Sequence, residues 1–210
     1  MWFGGRSAVI AAVMAACCSN VQAGDAVQDL IRKAAADSPT RAALVREGRS
    51  ASFFCANCHG ESGSSRYPEV PNLAGQNPIY IANQISAFVS GKRRNEFMQG
   101  LMKVLSDREK AAIAIYFADA AATPAGKGGP AVAQGEAHFK RVCVRCHQVD
   151  AHGNEGIPRL AGQQPEYLRV SLKRYLNKSG ERVYPEMSTA VAELGGGNID
   201  AVVQYLAGLK

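Results

Sequence analysis

Two pentapeptides constrain this chain more than anything else in it: Cys55-Ala56-Asn57-Cys58-His59 and Cys143-Val144-Arg145-Cys146-His147. Each sets two thiols three residues apart and a histidine directly after the second. On a helical turn, residues i and i+3 share a face, so both sulfurs reach one edge of the same flat ligand. The spacing is that of covalent haem attachment, with two thioethers fixing the ring and His59 or His147 supplying an axial nitrogen to iron.

Three other chemistries use paired cysteines, and the pattern excludes each. A structural zinc site wants its two pairs about 15 to 20 residues apart, whereas 84 residues separate Cys58 from Cys143. A redox dithiol belongs in a βαβ setting, but strand signals are sparse here and the repeated histidine would have no role. An intra-pair disulfide across two residues is strained and again ignores the histidines.

The duplication runs beyond the cysteines. Pro71-Asn72-Leu73-Ala74-Gly75-Gln76-Asn77-Pro78-Ile79-Tyr80 is echoed by Pro158-Arg159-Leu160-Ala161-Gly162-Gln163-Gln164-Pro165-Glu166-Tyr167, identical at seven of ten positions. The first string starts 12 residues after His59 and the second 11 after His147. Each half closes on an apolar helical pattern. Ser106 with Glu109 makes a capping box for the first closing helix, and Asn198 is the expected cap of the second. Between the halves, Thr123 to Pro130 is rich in glycine and proline and lacks apolar periodicity, as a linker does. The expected architecture is all-α: two helical modules, residues 24–122 and 135–210, joined by a linker at 123–134.

The opposite face of each iron decides what the site can do. An open position permits binding or chemistry, while a filled one leaves electron transfer. After residue 23 the methionines are Met98, Met102 and Met187, and the only histidines outside the motifs, His138 and His152, both lie in the second half. The first site therefore has no second histidine in its own half, and thioether ligation is expected. Met102 lies 43 residues after His59 and Met187 lies 40 after His147, each ahead of the closing helix, which makes Met102 and Met187 the expected ligands. Met98 would share a helical face with Met102, so periodicity does not separate those two. A soft thioether favours ferrous iron and raises the reduction potential. The carbonyls of Pro71 and Pro158 are candidates to accept the Nδ1 proton of the axial histidines. Gln76, Gln163, Tyr80 and Tyr167 either bond haem propionates or hold the loop.

The N-terminus reads as an export signal: Arg6, an 11-residue apolar run from Ala8 to Cys18, then a small-residue exit at Val21-Gln22-Ala23. That run is too short for a bilayer span, which needs about 18 to 20 residues. Residues 1–23 are thus the expected signal peptide, and the expected location is the periplasm. Met14-Ala15-Ala16-Cys17 offers an alternative exit, a lipid anchor at Cys17, with peripheral membrane association. The net charge of +6 is spread along the chain without interleaved aromatics, so nucleic acid is not an expected partner.

These strings, CANCHG with LAGQ and CVRCH with LAGQ, each followed by a methionine loop, resemble the dihaem cytochrome c4 family over roughly residues 48–210. The resemblance implies two tandem class I cytochrome c domains packed about a pseudo-twofold axis and two covalent His/Met haems. It implies a periplasmic electron carrier rather than an enzyme. Its partners would be redox proteins, a terminal cytochrome oxidase or a quinol–cytochrome c reductase; the alternative is a subunit of a periplasmic dehydrogenase complex that oxidises sulfide or an alcohol. Three departures stand out. Residues 25–47 make a longer lead-in, with an amphipathic helix expected around Ala26 to Ala36. Gln148 replaces the glycine that follows the motif in the first half as Gly60. Glu96-Phe97-Met98 stands where the family tends to have a proline.

Overall fold

The computed structural model describes Met1 and residues 23–210. Residues 2–22, which hold most of the expected signal peptide and Cys17, lie outside the described residues. Among the described residues no strand forms, only two isolated bridges, Arg93 with Arg182 and Asn154 with Ile157. None of the described helices is long and apolar enough to cross a membrane.

The helices run in order α1 Ala23–Ala36, α2 Ser38–Ala51, α3 Ala56–His59, α4 Pro78–Val89, α5 Glu96–Lys103 and α6 Asp107–Asp119 in the first half. The second half holds α7 Val132–His138, α8 Val144–His147, α9 Pro165–Leu176, α10 Pro185–Leu194 and α11 Ile199–Ala207. A single wide π turn, Phe139–Cys143, joins α7 to α8. From α2 onward the two halves repeat one plan: an opening helix, the cysteine turn, the helix after the Leu-Ala-Gly-Gln string, a methionine helix and a closing helix. Each half has its own core, one around Leu44, Ile85, Ile115 and Phe117 and the other around Phe139, Leu168, Val191 and Leu206.

Local chemistry sets the helix starts. The Asp37 carboxylate accepts from Thr40 N at 2.8 Å to cap α2. Ser106 and Glu109 form the expected capping box on α6. Pro78 and Pro165 stand at the first positions of α4 and α9, where a missing N–H costs nothing. Asn198 departs from expectation. Its side chain donates back to Leu194 O at 2.8 Å and caps nothing. The flexible run Gly195-Gly196-Gly197 winds a 3-10 turn into α11, leaving Asn198 at φ −101° and ψ −3°, outside the extended backbone a side-chain cap requires.

The opening and closing helices of each half cross at a glycine. A Cβ on Gly48 would stand 2.1 Å from Ala112 O, and one on Gly135 would stand 2.0 Å from Ala201 O. Only a hydrogen side chain lets α2 meet α6, or α7 meet α11, at this distance. The matching crossings show that α2 is the counterpart of α7, so only α1 is additional to the shared plan, not the whole of residues 25–47.

Helix α1 packs on α4 and α6, burying Val27, Ile31 and Ala34. Beneath it lie the small residues Ala82 and Ala111, both buried. The same positions in the second half carry Arg169 and Asp200, paired at 2.6 Å, with Glu166 as a further partner of the guanidinium. Small apolar residues need a cover, and charged ones face water, which accounts for an extra helix on one half and none on the other.

The linker is held down. Ala125 N donates to Gly162 O at 3.0 Å and Gly126 N to Ala207 O at 3.1 Å. Gln204 Oε1 accepts from Ala131 N at 3.1 Å, and α7 then starts at Val132, inside the stretch expected to be linker.

Candidate haem sites

The cysteine turns α3 and α8 form as the spacing requires. His59 N donates to Cys55 O at 2.9 Å, and in each pair the first cysteine stands at the helix start and the second within it, so both sulfurs sit on one turn. None of the four is paired in a disulfide. Burial pushes the Cys55 thiol up and the Cys143 thiol up to about 11. That is the reverse of a redox dithiol, whose thiolate is stabilised.

His59 and His147 are buried, at 8% and 4% exposure. His59 Nδ1 lies 2.9 Å from Pro71 O, and His147 Nδ1 lies 3.0 Å from Pro158 O. A carbonyl can only accept, so Nδ1 carries the proton and Nε2 keeps its lone pair. Burial, outweighing that hydrogen bond, holds both imidazoles below their ordinary pKa and therefore neutral. A neutral imidazole with Nδ1 engaged and Nε2 free is a metal ligand with its orientation fixed.

The Phe54–Phe97 ring contact brings the start of α5 beside the first cysteine turn, and α10 packs on the π turn that ends at Cys143. Met187 is the third residue of α10 and Met98 the third residue of α5, both half-buried at the edge of their cores. Asn95 caps α5 by accepting from Met98 N at 3.0 Å. Met102 is 3% exposed and sits within the first core among Ile31, Ile85 and Phe88. The residue at the position of Met187 in the first half is therefore Met98. Around the first site, exposed Phe54 and Phe97 stack with ring centroids 6.2 Å apart, one directly before Cys55 and the other directly before Met98. Val183, Tyr184 and Pro185 line a cleft of about 560 Å³ together with Lys178, Arg182 and Ser188, on the side of α10 that carries Ser188 and Ala192. Paired cysteines, a fixed imidazole and a nearby thioether make a donor set that fits haem c.

Gln148 shows how the second site tolerates the lost glycine. It adopts φ 67° and ψ 166°, a region where side chains are strained, next to His147. Its counterpart Gly60 sits at φ 81°, where a Cβ would stand 2.2 Å from Ser64 O.

The two sites meet through the Leu-Ala-Gly-Gln strings. Gln163 Oε1 accepts from Asn72 N at 2.7 Å, and its Nε2 donates to Asn72 O at 3.0 Å. Gln76 does the same to Arg159, at 2.7 and 2.9 Å. Both glutamines thus hold the other half, which sequence left open. Tyr80 and Tyr167 flank a buried arginine that sequence reading missed: Arg182 donates to Tyr167 Oη at 3.0 Å, Tyr80 Oη at 2.9 Å and Ser171 Oγ at 2.9 Å. Arg93 reaches Tyr167 Oη at 3.1 Å. Burial alone would raise Tyr167, but the two guanidiniums outweigh it and hold the hydroxyl down at about 7, while burial pushes Tyr80 up to about 12. His152 is engaged by Asp150 and the Lys210 carbonyl.

The family model for cytochrome c matches residues 132–210. Cytochrome c4 of Pseudomonas aeruginosa is 33% identical over 176 residues, covering 77% of this chain and 87% of that one. A thiosulfate dehydrogenase electron acceptor of Thiomonas intermedia is 33% identical over 171 residues, covering 73% of this chain and 77% of its own length. The crystal structure of reduced cytochrome c4 from Pseudomonas stutzeri superposes with a TM-score of 0.72 at 27% identity, covering 79% of this chain and 98% of that one. With the doubled attachment turns, the fixed histidines and the repeated helical plan, these matches place the chain in the dihaem cytochrome c4 family, electron-transfer proteins built of two tandem cytochrome c domains with two covalently bound haems c.

Proposed function

We propose that this chain is an exported, periplasmic electron carrier rather than an enzyme, with both irons closed by His/Met ligation. The observation that carries the reading is the matched pair of sites: a buried histidine tied through Nδ1 to a proline carbonyl, directly after two cysteines at the spacing of one helical turn, with a methionine at the third position of the helix that precedes each closing helix. Cys55, Cys58, Cys143 and Cys146 would form the thioethers, and His59 and His147 the proximal ligands. Met187 would be the distal ligand of the second site. In the first, Met98 is preferred to Met102, because it shares the helix position of Met187 whereas Met102 fills the core. The bound haems supply the one-electron iron couple. The protein's part is to fix both axial ligands, so that little reorganises when charge arrives, and to keep water from the proximal side.

We place the units at residues 24–122 and 132–210, starting the second where α7 begins. The partners would be redox proteins, a terminal oxidase or quinol–cytochrome c reductase in a carrier role. A dehydrogenase is the second reading, favoured by the relative named as a thiosulfate dehydrogenase electron acceptor. The exposed Phe54–Phe97 pair beside the first site suits brief docking, since small interfaces serve redox encounters. Intact mass with optical spectra tests the proposal: two covalent haems, the sulfur-to-iron charge-transfer band when oxidised, and no carbon monoxide binding when reduced. Rapid carbon monoxide binding at either haem would overturn it.

A further inference from the structure

We propose that Gln76 and Gln163 are positioning residues that act across the domain boundary, each tuning the axial histidine of the other half and so linking the two redox potentials. The proposal rests on the reading of His59 and His147 as proximal ligands.

The argument lies in one peptide group per half. The Pro71 carbonyl that accepts the His59 Nδ1 proton and the Asn72 N–H belong to the same peptide unit. That N–H donates to Gln163 Oε1 of the second half at 2.7 Å. In the other direction, the Pro158 carbonyl takes the His147 Nδ1 proton, and the Arg159 N–H of that peptide donates to Gln76 Oε1 at 2.7 Å. Imidazole, peptide and side-chain amide therefore make a chain of aligned hydrogen bonds that ends in the opposite domain. Both glutamines are nearly buried, at 5% and 6% exposure. Each Oε1 also accepts the next N–H of its own chain, Asn77 at 3.0 Å and Gln164 at 2.9 Å, which fixes its direction.

Hydrogen bonds in series polarise one another, each by about 10–30% in a dry interior. A peptide N–H that donates well leaves its carbonyl more negative. A more negative carbonyl draws harder on the Nδ1 proton, and the imidazole becomes a stronger donor to iron. That favours the ferric state. Removing Gln163 should therefore weaken the His59 bond and raise the potential of the first haem. Removing Gln76 should do the same to the second. The effect crosses the boundary, so each variant changes the haem of the half it does not belong to.

The test is redox titration of the holoprotein followed by NMR, with haem methyl signals assigned to each half through nuclear Overhauser contacts. In Gln163→Leu the ferrous-to-ferric ratio of the first haem at fixed poise should rise about two- to fivefold, or about 20–40 mV at 59 mV per tenfold. The second haem should move less, and Gln76→Leu should give the mirror result. Gln163→Met and Gln76→Met, which keep the unbranched shape, serve if the leucine variants do not fold. A shift at the haem of the mutated half, an equal shift at both, or no shift overturns the proposal. If instead the wild-type spectrum lacks histidine-ligated low-spin signals, the ligand reading itself has failed, which is distinguishable at the outset.

Discussion

Substituting the two methionines of the first half separates a ligand from a core residue. Met102 is 3% exposed within the cluster of Ile31, Ile85 and Phe88, so Met102→Ala should cost about 2–5 kcal/mol through transfer and cavity terms. At about 4–8 °C per kcal/mol for a unit of this size, the melting temperature should fall by roughly 8–40 °C. Met102→Leu nearly conserves volume and should cost less than about 1.5 kcal/mol. Neither change should alter the optical spectrum at moderate temperature. Met98→Leu, by contrast, takes the thioether from the third position of α5. One haem should lose its charge-transfer band, bind carbon monoxide when reduced, and drop in potential, because thioether ligation is what raises it. The assays are thermal unfolding by circular dichroism, optical spectroscopy with carbon monoxide, and redox titration. A Met102→Leu protein that binds carbon monoxide, or a Met98→Leu protein that keeps both charge-transfer bands, would refute the assignment.

Three further changes test the fold. Gln148→Gly should relieve the strain at φ 67° and stabilise the second half by about 1–2 kcal/mol, read as a higher unfolding midpoint; a lower midpoint would show that the Gln148 side chain contributes more than its backbone costs. Ile31→Ala should remove a buried anchor of α1 and cost about 2–4 kcal/mol in the first half, leaving the second half's transition unchanged. Tyr167 should link stability to pH. Its hydroxyl, held down at about 7 between guanidiniums, ionises earlier in the folded chain than in the unfolded one, at about 10. The folded state therefore binds fewer protons in that window, and stability should rise with pH from about 7 to about 10. Tyr167→Phe should flatten that slope in denaturant titrations, and an unchanged slope would remove the ionisation.

The parts legible in sequence were those set by short-range spacing. The cysteine turns, the Ser106–Glu109 box and the proline acceptors for His59 and His147 each follow from a few adjacent residues, and the structure forms them. The proposed preference for Met98 over Met102 in the first half rests on register instead. Met98 precedes Tyr116 by 18 residues, as Met187 precedes Tyr205, so the repeat carried the signal, but counting from the histidine let the longer loop of the first half obscure it. What no local pattern reveals is contact between the halves. Gln76 and Gln163 look like loop glutamines until the strings face each other, and Arg182 looks like a surface cation until Tyr80 and Tyr167 close over it. The role of residues 25–47 was also divided by packing alone, since only the glycine crossing at Gly48 identifies α2 as part of the shared plan.

The tethering of residues 125–131 onto the second half governs how the protein behaves when cut. Because Ala125, Gly126 and Ala131 are bonded to Gly162, Ala207 and Gln204, a protease that severs the chain just after Thr123 would leave the connector attached to one fragment and the glutamine clasp holding both. The nicked molecule should migrate as one particle on a sizing column and separate only in denaturant. The distance between the irons is thus set by the clasp and not by the covalent thread.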